Sequence, residues 1–502
     1  MGFKKILIAN RGEIAVRVIK ACQEMGINTV AVYSEIDRTG LHVQMADEAV
    51  CIGPPPAGES YLHMDHIIQA AHDTGSEAVH PGYGFLAENS EFDRRCEEEN
   101  LVFIGPNSRS LNLVGDKIRS RKSVEQAGLP IIPGMKGSHK DVAKYEEEAQ
   151  RIGYPVMIKA TAGGGGKGMR IVYEEKDLKA SLEAGMREAR SAFGDESVYL
   201  EKYIEEPRHV EIQVLADNYG NVVHLFEREC SIQRRHQKIV EETPSPVMDE
   251  KLRNEMGETA KKIIQITGYN NAGTVEFLVD KNKNFYFLEV NARLQVEHPV
   301  TELTTGVDLV HQQIKVASGE KLSLSQEKLE QRGHAIECRI YAEDPLKNFL
   351  PSSGKVLFLK EPRGPGVRHD CGIYGGCEVP IFYDPILAKL IVWAEDRNLA
   401  CQRMINALED YVILGVKTPI DFLKDVISHS KFKKGKTTTD FLKRHFENWE
   451  EKKKTEDKQK LAALACAFDS SLRAPVRTGG ASYQKEIYSP WKSLGKWRLG
   501  EK

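Results

Sequence analysis

The sequence predicts an α/β protein in three parts: a doubly wound parallel sheet at the N-terminus, a central region closed by a glycine-rich hairpin, and a mostly β C-terminal region. Three observations carry this. Short apolar runs alternate with helical periodicity through the first third of the chain. Four consecutive glycines stand between two β-rich runs in VMIKATAGGGGKGMRIV, residues 156–172. From 331 onward, strands broken by Gly and Pro turns dominate. At 502 residues the chain has room for about three domains.

The elements follow in order. KILIAN is a short apolar strand, and in RGEIAVRVIKACQEMG the residues Ile14, Ala15, Val18, Ile19, Cys22 and Met25 recur at helical spacing. NTVAVYS is a second strand, then IIQAAHDTG (helix), EAVH (strand), EFDRRCEEEN (helix) and LVFIG (strand). The result is a Rossmann-like domain over 1–114. Its first turn reads N-R-G-E and lacks G-x-G-x-x-G, so a nicotinamide role is unsupported. Residues 115–203 hold a helix (GDKIRSRKSVEQAG), a proline-rich crossing (LPIIPG) and the glycine hairpin, with a lid over about 132–203. Strands dominate from 204 to 330 around one long helix, KLRNEMGETAKKIIQITG. Between 331 and 446, the strands of GKVLFLKEPRGPGVRHDCGIYGGCEVP come before one closing helix. From 447 to 502 the chain changes character: the charge run EEKKKTEDKQK reads as a solvated linker, and LAALACAF with the two Trp of SPWKSLGKW as a candidate docking segment.

Composition excludes several classes. Seventy basic against 73 acidic residues give a formal charge of −3, with no polyanion-binding surface for nucleic acid. Nine scattered cysteines without a C-x-x-C pair favour free thiols in a reducing compartment over a disulfide framework or a zinc site. No apolar run approaches the length of a membrane span, and the N-terminus reads as neither a secretory nor a mitochondrial leader. A soluble, cytoplasmic protein is expected.

Glycine runs beside Lys point to phosphate, because backbone N–H groups approach an anion only where no Cβ intervenes. The Walker pattern G-x-x-x-x-G-K-S/T fails here, since Thr161 and Gly168 occupy the positions that need Gly and Ser or Thr. Strand on both sides of the glycines makes the loop a lid.

The segment TVEFLVDKNKNFYFLEVNARLQVEHP reads as a hairpin. With the turn centred on Asn282-Lys283, Glu276 falls directly opposite Glu289. Like charges so placed destabilise a sheet. A hard divalent cation between them, with Asn291 as a third oxygen ligand on the same face, would relieve this; a solvent-facing carboxylate row is the alternative. Fully extended, Glu289 and Glu297 would lie roughly 26 Å apart, so a shared site needs a bend after the metal ligands. Arg293 suits a planar anion.

Taken in order, KILIANRGEIAVRVI, HPGYGFLAEN, YPVMIKATAGGGGKGMR, EKYI, ERECSIQRRHQKIVEE, FLEVNARLQVEHPVTE and GHAIECRIYAEDP resemble biotin carboxylase of the ATP-grasp superfamily over roughly 1–446. The resemblance implies ATP-grasp central domains and a biotin carboxylase C-terminal domain. It implies that the glycine hairpin closes over ATP phosphates, with Gly165 and Gly166 offering N–H groups and Lys117 and Lys159 meeting phosphate oxygens. Glu201, Lys202, Tyr203 and Ile204 would line the adenine, with His209, Gln233 and His236 around the nucleotide. Glu276, Glu289 and Asn291 match ligands for Mg²⁺ or Mn²⁺. Arg293, Gln295, the Val296 backbone and Lys238 match a bicarbonate site, which Arg339 adjoins. Glu297 matches the general base, its basicity raised by burial and the nearby anion. Arg339 matches the group that stabilises the biotin enolate, and Tyr83 would stand beside the biotin ring.

The implied reaction is phosphorylation of bicarbonate to carboxyphosphate, its decomposition to CO₂ and phosphate, and attack by N1′ of biotin. The only Met-Lys pair, Met135-Lys136, lacks the A-M-K-M-like turn of a biotinylated carrier. A separate biotin carboxyl carrier protein is therefore expected, as is a separate carboxyltransferase, and the family implies a homodimer. Two rivals remain. An enzyme of carbamoyl-phosphate synthetase type would need two tandem grasps where this chain shows one. A catalytically inactive ATP-binding protein conflicts with the competent residue at every matched position. The final acceptor of the carboxyl group lies beyond the sequence.

Overall fold

The N-terminal strands are β1 Lys5–Ile8, β2 Asn28–Ser34, β3 Glu48–Gly53, β4 Ala78–His80 and β5 Val102–Phe103. They form one parallel sheet in the order β3-β2-β1-β4-β5. β1 is buried along nearly its whole length, as expected of a parallel strand covered on both faces. Helix α1, Gly12–Glu24, buries Ile14, Ala15, Val18, Ile19 and Cys22, the periodic set read from the sequence. Sheet order reverses between β1 and β4, and in such sheets the crevice at the carboxyl ends of those strands is the binding position. Asn10 closes that crevice by donating to the carbonyls of Pro81, at 2.6 Å, and Tyr83, at 2.8 Å. Edge strand β3 was not anticipated.

This architecture comes from a computed structural model that describes residues 2–135, 142–160, 169–193, 195–235 and 237–450. The chain divides into two compact units, Met1–Trp449 and Glu450–Lys502, and of the second only Glu450 is described. Almost all of the predicted tail lies outside the described residues.

A three-stranded antiparallel sheet follows, β6 Val156–Ala160 between β7 Arg170–Val172 and β8 Val198–Lys202. β6 and β7 pair as the two arms of the glycine hairpin, with Val156 opposite Val172 and Ile158 opposite Arg170. The glycine tip, 161–168, lies outside the described residues. β6 alternates: Val156, Ile158 and Ala160 face a small core, Met157 and Lys159 the other side. Two helices complete that core, Val142–Ile152 and Leu178–Phe193, neither of them anticipated.

The largest element is an eight-stranded sheet. Its strands include β9 Arg208–Ala216, β10 Val222–Arg234, β11 Gln237–Thr243, β12 Asn271–Val279, β13 Phe285–Asn291 and β14 His334–Tyr341. The order is β13-β12-β9-β10-β11-β14, then strands Ile386–Ala394 and Val367–Cys371. A division at residue 331 thus separates strands of one sheet, because β11 and β14 pair, with Glu241 opposite Glu337. The long helix Glu250–Thr267 packs on β9 and β10; Asp249 caps its start by accepting from the Leu252 N–H at 2.9 Å, and Gly268 ends it in the left-handed conformation. After the strand Ile386–Ala394 the described residues hold four helices where one was expected: Arg397–Asp410, Ile420–Ser428, Ser430–Lys433 and Phe441–Phe446. Among the described residues no helix is long and apolar enough to cross a membrane.

Candidate active site

The hairpin β12–β13 has the expected register at its functional end: Glu276 pairs with Glu289, Val275 with Val290 and Thr274 with Asn291. An irregularity after Glu276 shifts the remaining pairs by one residue, so Phe277 meets Phe287. Across the sheet the row continues, with Glu276 opposite Glu211 on β9 and Glu211 opposite Arg228 on β10. Glu211 and Arg228 were missed from the sequence. Their signal was present, because His209, Glu211 and Gln213 alternate with the buried Val210, Ile212 and Val214.

The chain bends after Asn291, where β13 stops, and helix His298–Thr305 begins immediately after Glu297. That bend returns Glu297 to the sheet. Lys238 on β11 then donates to three carboxylates: Glu211 Oε2 at 2.5 Å, Glu276 Oε1 at 2.7 Å and Glu297 Oε1 at 2.8 Å. Arg339 Nη2 reaches Glu297 Oε2 at 3.0 Å and its Nε reaches Glu241 Oε1 at 2.6 Å. Beneath them Arg228 is fully enclosed and each of its three side-chain nitrogens donates, to Glu211, Gln213, Thr301 and Thr274. Such complete pairing is what allows a guanidinium in the interior.

The charges set the proton affinities. Burial pushes the Glu297 carboxyl up, but Lys238, Arg339 and Arg228 outweigh it and hold the group well below the usual carboxylate range. Burial, one of the two causes expected to raise its basicity, is thus outweighed by the cations that face it. Glu276 is likewise held low, with burial overcome by Lys238 and His209. Burial opposes the Lys238 charge, yet Glu211, Glu276 and Glu297 hold its ammonium well above the ordinary lysine range.

The other predicted residues gather around this core. His209 Nε2 stands 3.0 Å from Glu276 Oε2, and its Nδ1 meets Gln233 Nε2 at 2.9 Å. Arg293 Nη1 donates to Gln295 Oε1 at 3.0 Å, its Nη2 to Asn291 Oδ1 at 3.2 Å and its Nε to Glu88 Oε2 at 3.0 Å. Glu88 lies within the HPGYGFLAEN motif, yet nothing in the sequence pointed to this pairing. The Val296 carbonyl accepts from Lys389 at 3.0 Å. On the lid sheet Lys159 Nζ meets Glu201 Oε2 at 2.5 Å, and Arg121 Nη1 takes Glu201 Oε1 at 2.7 Å. Lys202 turns its ammonium to the carbonyls of Gly153 and Tyr154, both at 2.8 Å. The Tyr203 ring packs edge-on to Tyr173, and Ile204 is buried. Tyr83 stands at the switch-point crevice with its hydroxyl buried and without a hydrogen-bond partner. Gly165, Gly166 and His236 lie outside the described residues, as does the side chain of Lys117, which opens the helix Lys117–Gln126.

Glu276, Glu289 and Asn291 present hard oxygen donors from adjacent strands, a donor set that fits Mg²⁺ or Mn²⁺.

A lid sheet above a carboxylate- and lysine-lined antiparallel sheet is the architecture of an ATP-grasp enzyme, and residues 116–325 match the family described as carbamoyl-phosphate synthase L chain, ATP binding domain. Residues 2–111 match the biotin carboxylase N-terminal domain and 337–444 the biotin carboxylase C-terminal domain. The chain is 53% identical over 440 residues to biotin carboxylase 1 of Bacillus subtilis, covering 88% of this chain and 98% of that one. It is 51% identical over 442 residues to the biotin carboxylase of a Nostoc species, covering 88% and 99%. Among solved structures, the biotin carboxylase domain dimer of Hydrogenobacter thermophilus 2-oxoglutarate carboxylase, in complex with MgADP, ADP and bicarbonate, superposes with a TM-score of 0.81 at 50% identity, over 89% of this chain and 98% of that one. The Campylobacter jejuni biotin carboxylase–β,γ-ATP complex gives 0.82 at 48% identity, over 88% and 99%. The chain belongs to the biotin carboxylase family.

Proposed function

We propose that this chain carboxylates biotin with bicarbonate at the expense of ATP, through carboxyphosphate. The observation that carries the reading is the grip of Lys238 and Arg339 on Glu297, with the same Lys238 reaching Glu276 of the paired Glu276 and Glu289, and Gln295 of the Arg293–Gln295 pair two residues before Glu297.

The nucleotide would lie between the lid sheet and the large sheet, its phosphates met by Lys159 and Lys117 and by the glycine N–H groups. Glu276, Glu289 and Asn291 would hold Mg²⁺ or Mn²⁺, which when bound offsets charge on the phosphates. Bicarbonate would sit against Arg293, Gln295, the Val296 N–H and Lys238. In the resting site Lys238 keeps Glu297 a weak base. An arriving anion competes for that ammonium, and drawing it away raises the proton affinity of Glu297 where a proton must be taken from bicarbonate. Bicarbonate oxygen then attacks the γ-phosphorus and ADP leaves. Carboxyphosphate breaks down to CO₂ and phosphate, the released phosphate takes the N1′ proton of biotin, and N1′ attacks CO₂. The permanently charged guanidinium of Arg339 offsets the oxyanion of the biotin enolate, and Tyr83 at the crevice would border the ring.

Relatives that form part of multisubunit carboxylases, such as the propionyl-CoA carboxylase alpha chain of Ruegeria pomeroyi, 49% identical over 488 residues, support a wider setting. A biotin carboxyl carrier protein would present the biotin, a carboxyltransferase subunit would take up its carboxyl group, and the chain would act as a homodimer in the cytoplasm.

The test is phosphate release from MgATP by the purified chain, with bicarbonate present or removed and free biotin added or omitted. Bicarbonate-dependent turnover that rises with biotin is expected. Turnover indifferent to both would sink the proposal.

A further inference from the structure

Every residue of the strand Ile386–Ala394, ILAKLIVWA, is apolar except Lys389, and Lys389 is fully buried. Burying an ammonium is costly unless it is well paired. Directly opposite it in register stands Arg339, so two cations lie side by side on one sheet, an arrangement that is unfavourable by itself. An apolar residue at 389 would serve the strand's packing better, so the charge calls for another explanation.

The two cations grip consecutive residues of the turn that follows β13. Arg339 Nη2 donates to the Glu297 carboxylate at 3.0 Å, and Lys389 Nζ donates to the Val296 carbonyl at 3.0 Å. The counter-charges of Lys389 come from two directions. Glu13 Oε2, on helix α1 of the N-terminal domain, is 3.2 Å away, and Asp370 Oδ2, on the neighbouring strand, 3.9 Å. Asp370 is already held by Arg368 at 2.8 Å. Neither oxygen of Glu13 makes a hydrogen bond, and burial pushes its carboxyl up to about 7 although Lys389 pulls it down. The Tyr83 ring, whose centroid is 5.8 Å from the ammonium, adds a cation–π contact. One buried ammonium therefore joins the N-terminal crevice to the turn that carries Val296 and Glu297.

We propose that Lys389 is a positioning residue for bicarbonate activation: it fixes the peptide joining Val296 to Glu297, while Arg339 fixes the carboxylate of Glu297. This rests on the reading of that turn as the bicarbonate site. Without Lys389 the plane carrying the Val296 carbonyl and the Glu297 N–H is free to rotate, and the Val296 backbone and the Glu297 carboxylate lose their common orientation toward the anion. The nucleotide side, with His209 on the large sheet and Lys159 and Glu201 on the lid sheet, is untouched.

The experiment measures the KM for bicarbonate and for MgATP, and kcat, in biotin-stimulated phosphate release by wild type, Glu13→Gln, Lys389→Met, Lys389→Arg and the double variant Glu13→Gln/Lys389→Met. Lys389→Met alone leaves Glu13 without its counter-ion; the double variant removes both charges and keeps the fold testable by its unfolding midpoint. Glu13→Gln preserves the bond to Val296 and should keep the bicarbonate KM within about twofold, whereas the double variant should raise it at least about tenfold, the loss of one charge-assisted hydrogen bond. The MgATP KM should stay within about twofold, and Lys389→Arg, which retains a cationic donor, should recover most of the lost affinity. A folded double variant with the wild-type bicarbonate KM overturns the proposal, and so does one in which both KM values rise together. Absence of bicarbonate-dependent turnover in the wild type instead overturns the functional reading on which it rests.

Discussion

Lys238→Gln tests the electrostatic account of the site most directly. The substitution removes an ammonium shared by Glu211, Glu276 and Glu297 at 2.5, 2.7 and 2.8 Å, all four groups being largely or wholly buried. At an effective dielectric of about 20, each such contact is worth roughly 6 kcal/mol of Coulomb energy. Desolvation offsets most of this, and breaking a buried pair costs about 3–5 kcal/mol net. Glu211 keeps Arg228, Glu297 keeps Arg339 and Glu276 keeps His209, which places the expected loss near about 3 kcal/mol. For a protein of this size that lowers the unfolding midpoint by about 3 °C at pH 7. The pH dependence has a definite sign. Burial alone would raise Glu297, yet Lys238 and its fellow cations depress it. A depressed carboxyl contributes stability that is present above the unfolded value, about 4.3, and lost as pH falls through the lower folded value. The gap between wild type and Lys238→Gln should thus be full at pH 6–7 and shrink below about pH 4. Thermal unfolding from pH 7 to pH 3 measures it. In the same variant the acid limb of the ATPase profile should move up by about one pH unit or more, since about 1.4 kcal/mol corresponds to one unit. No destabilisation at pH 7, or a gap constant across the series, would refute the reasoning.

Three further outcomes are expected. Glu276→Gln and Glu289→Gln should each raise the Mg²⁺ or Mn²⁺ concentration for half-maximal ATP hydrolysis by at least about tenfold; an unchanged metal titration would remove the residue from the metal site. Arg293→Ala should raise the bicarbonate KM by about tenfold or more while leaving that for MgATP nearly constant, and Arg293→Lys should not restore it, because an ammonium lacks the planar fork now spread over Glu88, Asn291 and Gln295. Equal effects on both substrates would count against the assignment. Burial opposes ionisation of Glu242, but His334 and Arg397 hold its carboxyl at about 2. Its stabilisation is present above about pH 4.3 and lost as pH falls through 2, so Glu242→Gln should cost about 3 kcal/mol at neutral pH and progressively less in acid. Chemical denaturation at both pH values decides it.

Much of the site was legible because its signals are local. Counting from the hairpin turn placed Glu276 opposite Glu289, and the bend after Asn291 followed from the length of extended chain that had to be taken up. Helix α1 was readable from its apolar spacing. The helix Val142–Ile152 was equally periodic, with Val142 and Ile152 packed around the buried Tyr145 and Ala149, yet its charged run EEEAQR obscured the pattern. Edge strand β3 carries exposed Glu48, Ala49 and Cys51 and so lacks the continuous apolar run of its neighbours.

The sequence by itself determined the residue types, the pairing of Glu276 with Glu289 and the order of motifs, because these depend on backbone hydrogen bonding and side-chain periodicity among near neighbours. Only the tertiary structure decided which charges meet. Lys238 could have answered any nearby acid; the strand order β12-β9-β10-β11 and the turn after β13 bring it to Glu211, Glu276 and Glu297 together. The same holds for Lys389, which meets Val296 and Glu13 only because one sheet spans the central and C-terminal strands and packs on the N-terminal helix. Long-range charge partners are set by how whole elements pack, and nothing in the residues beside them encodes that.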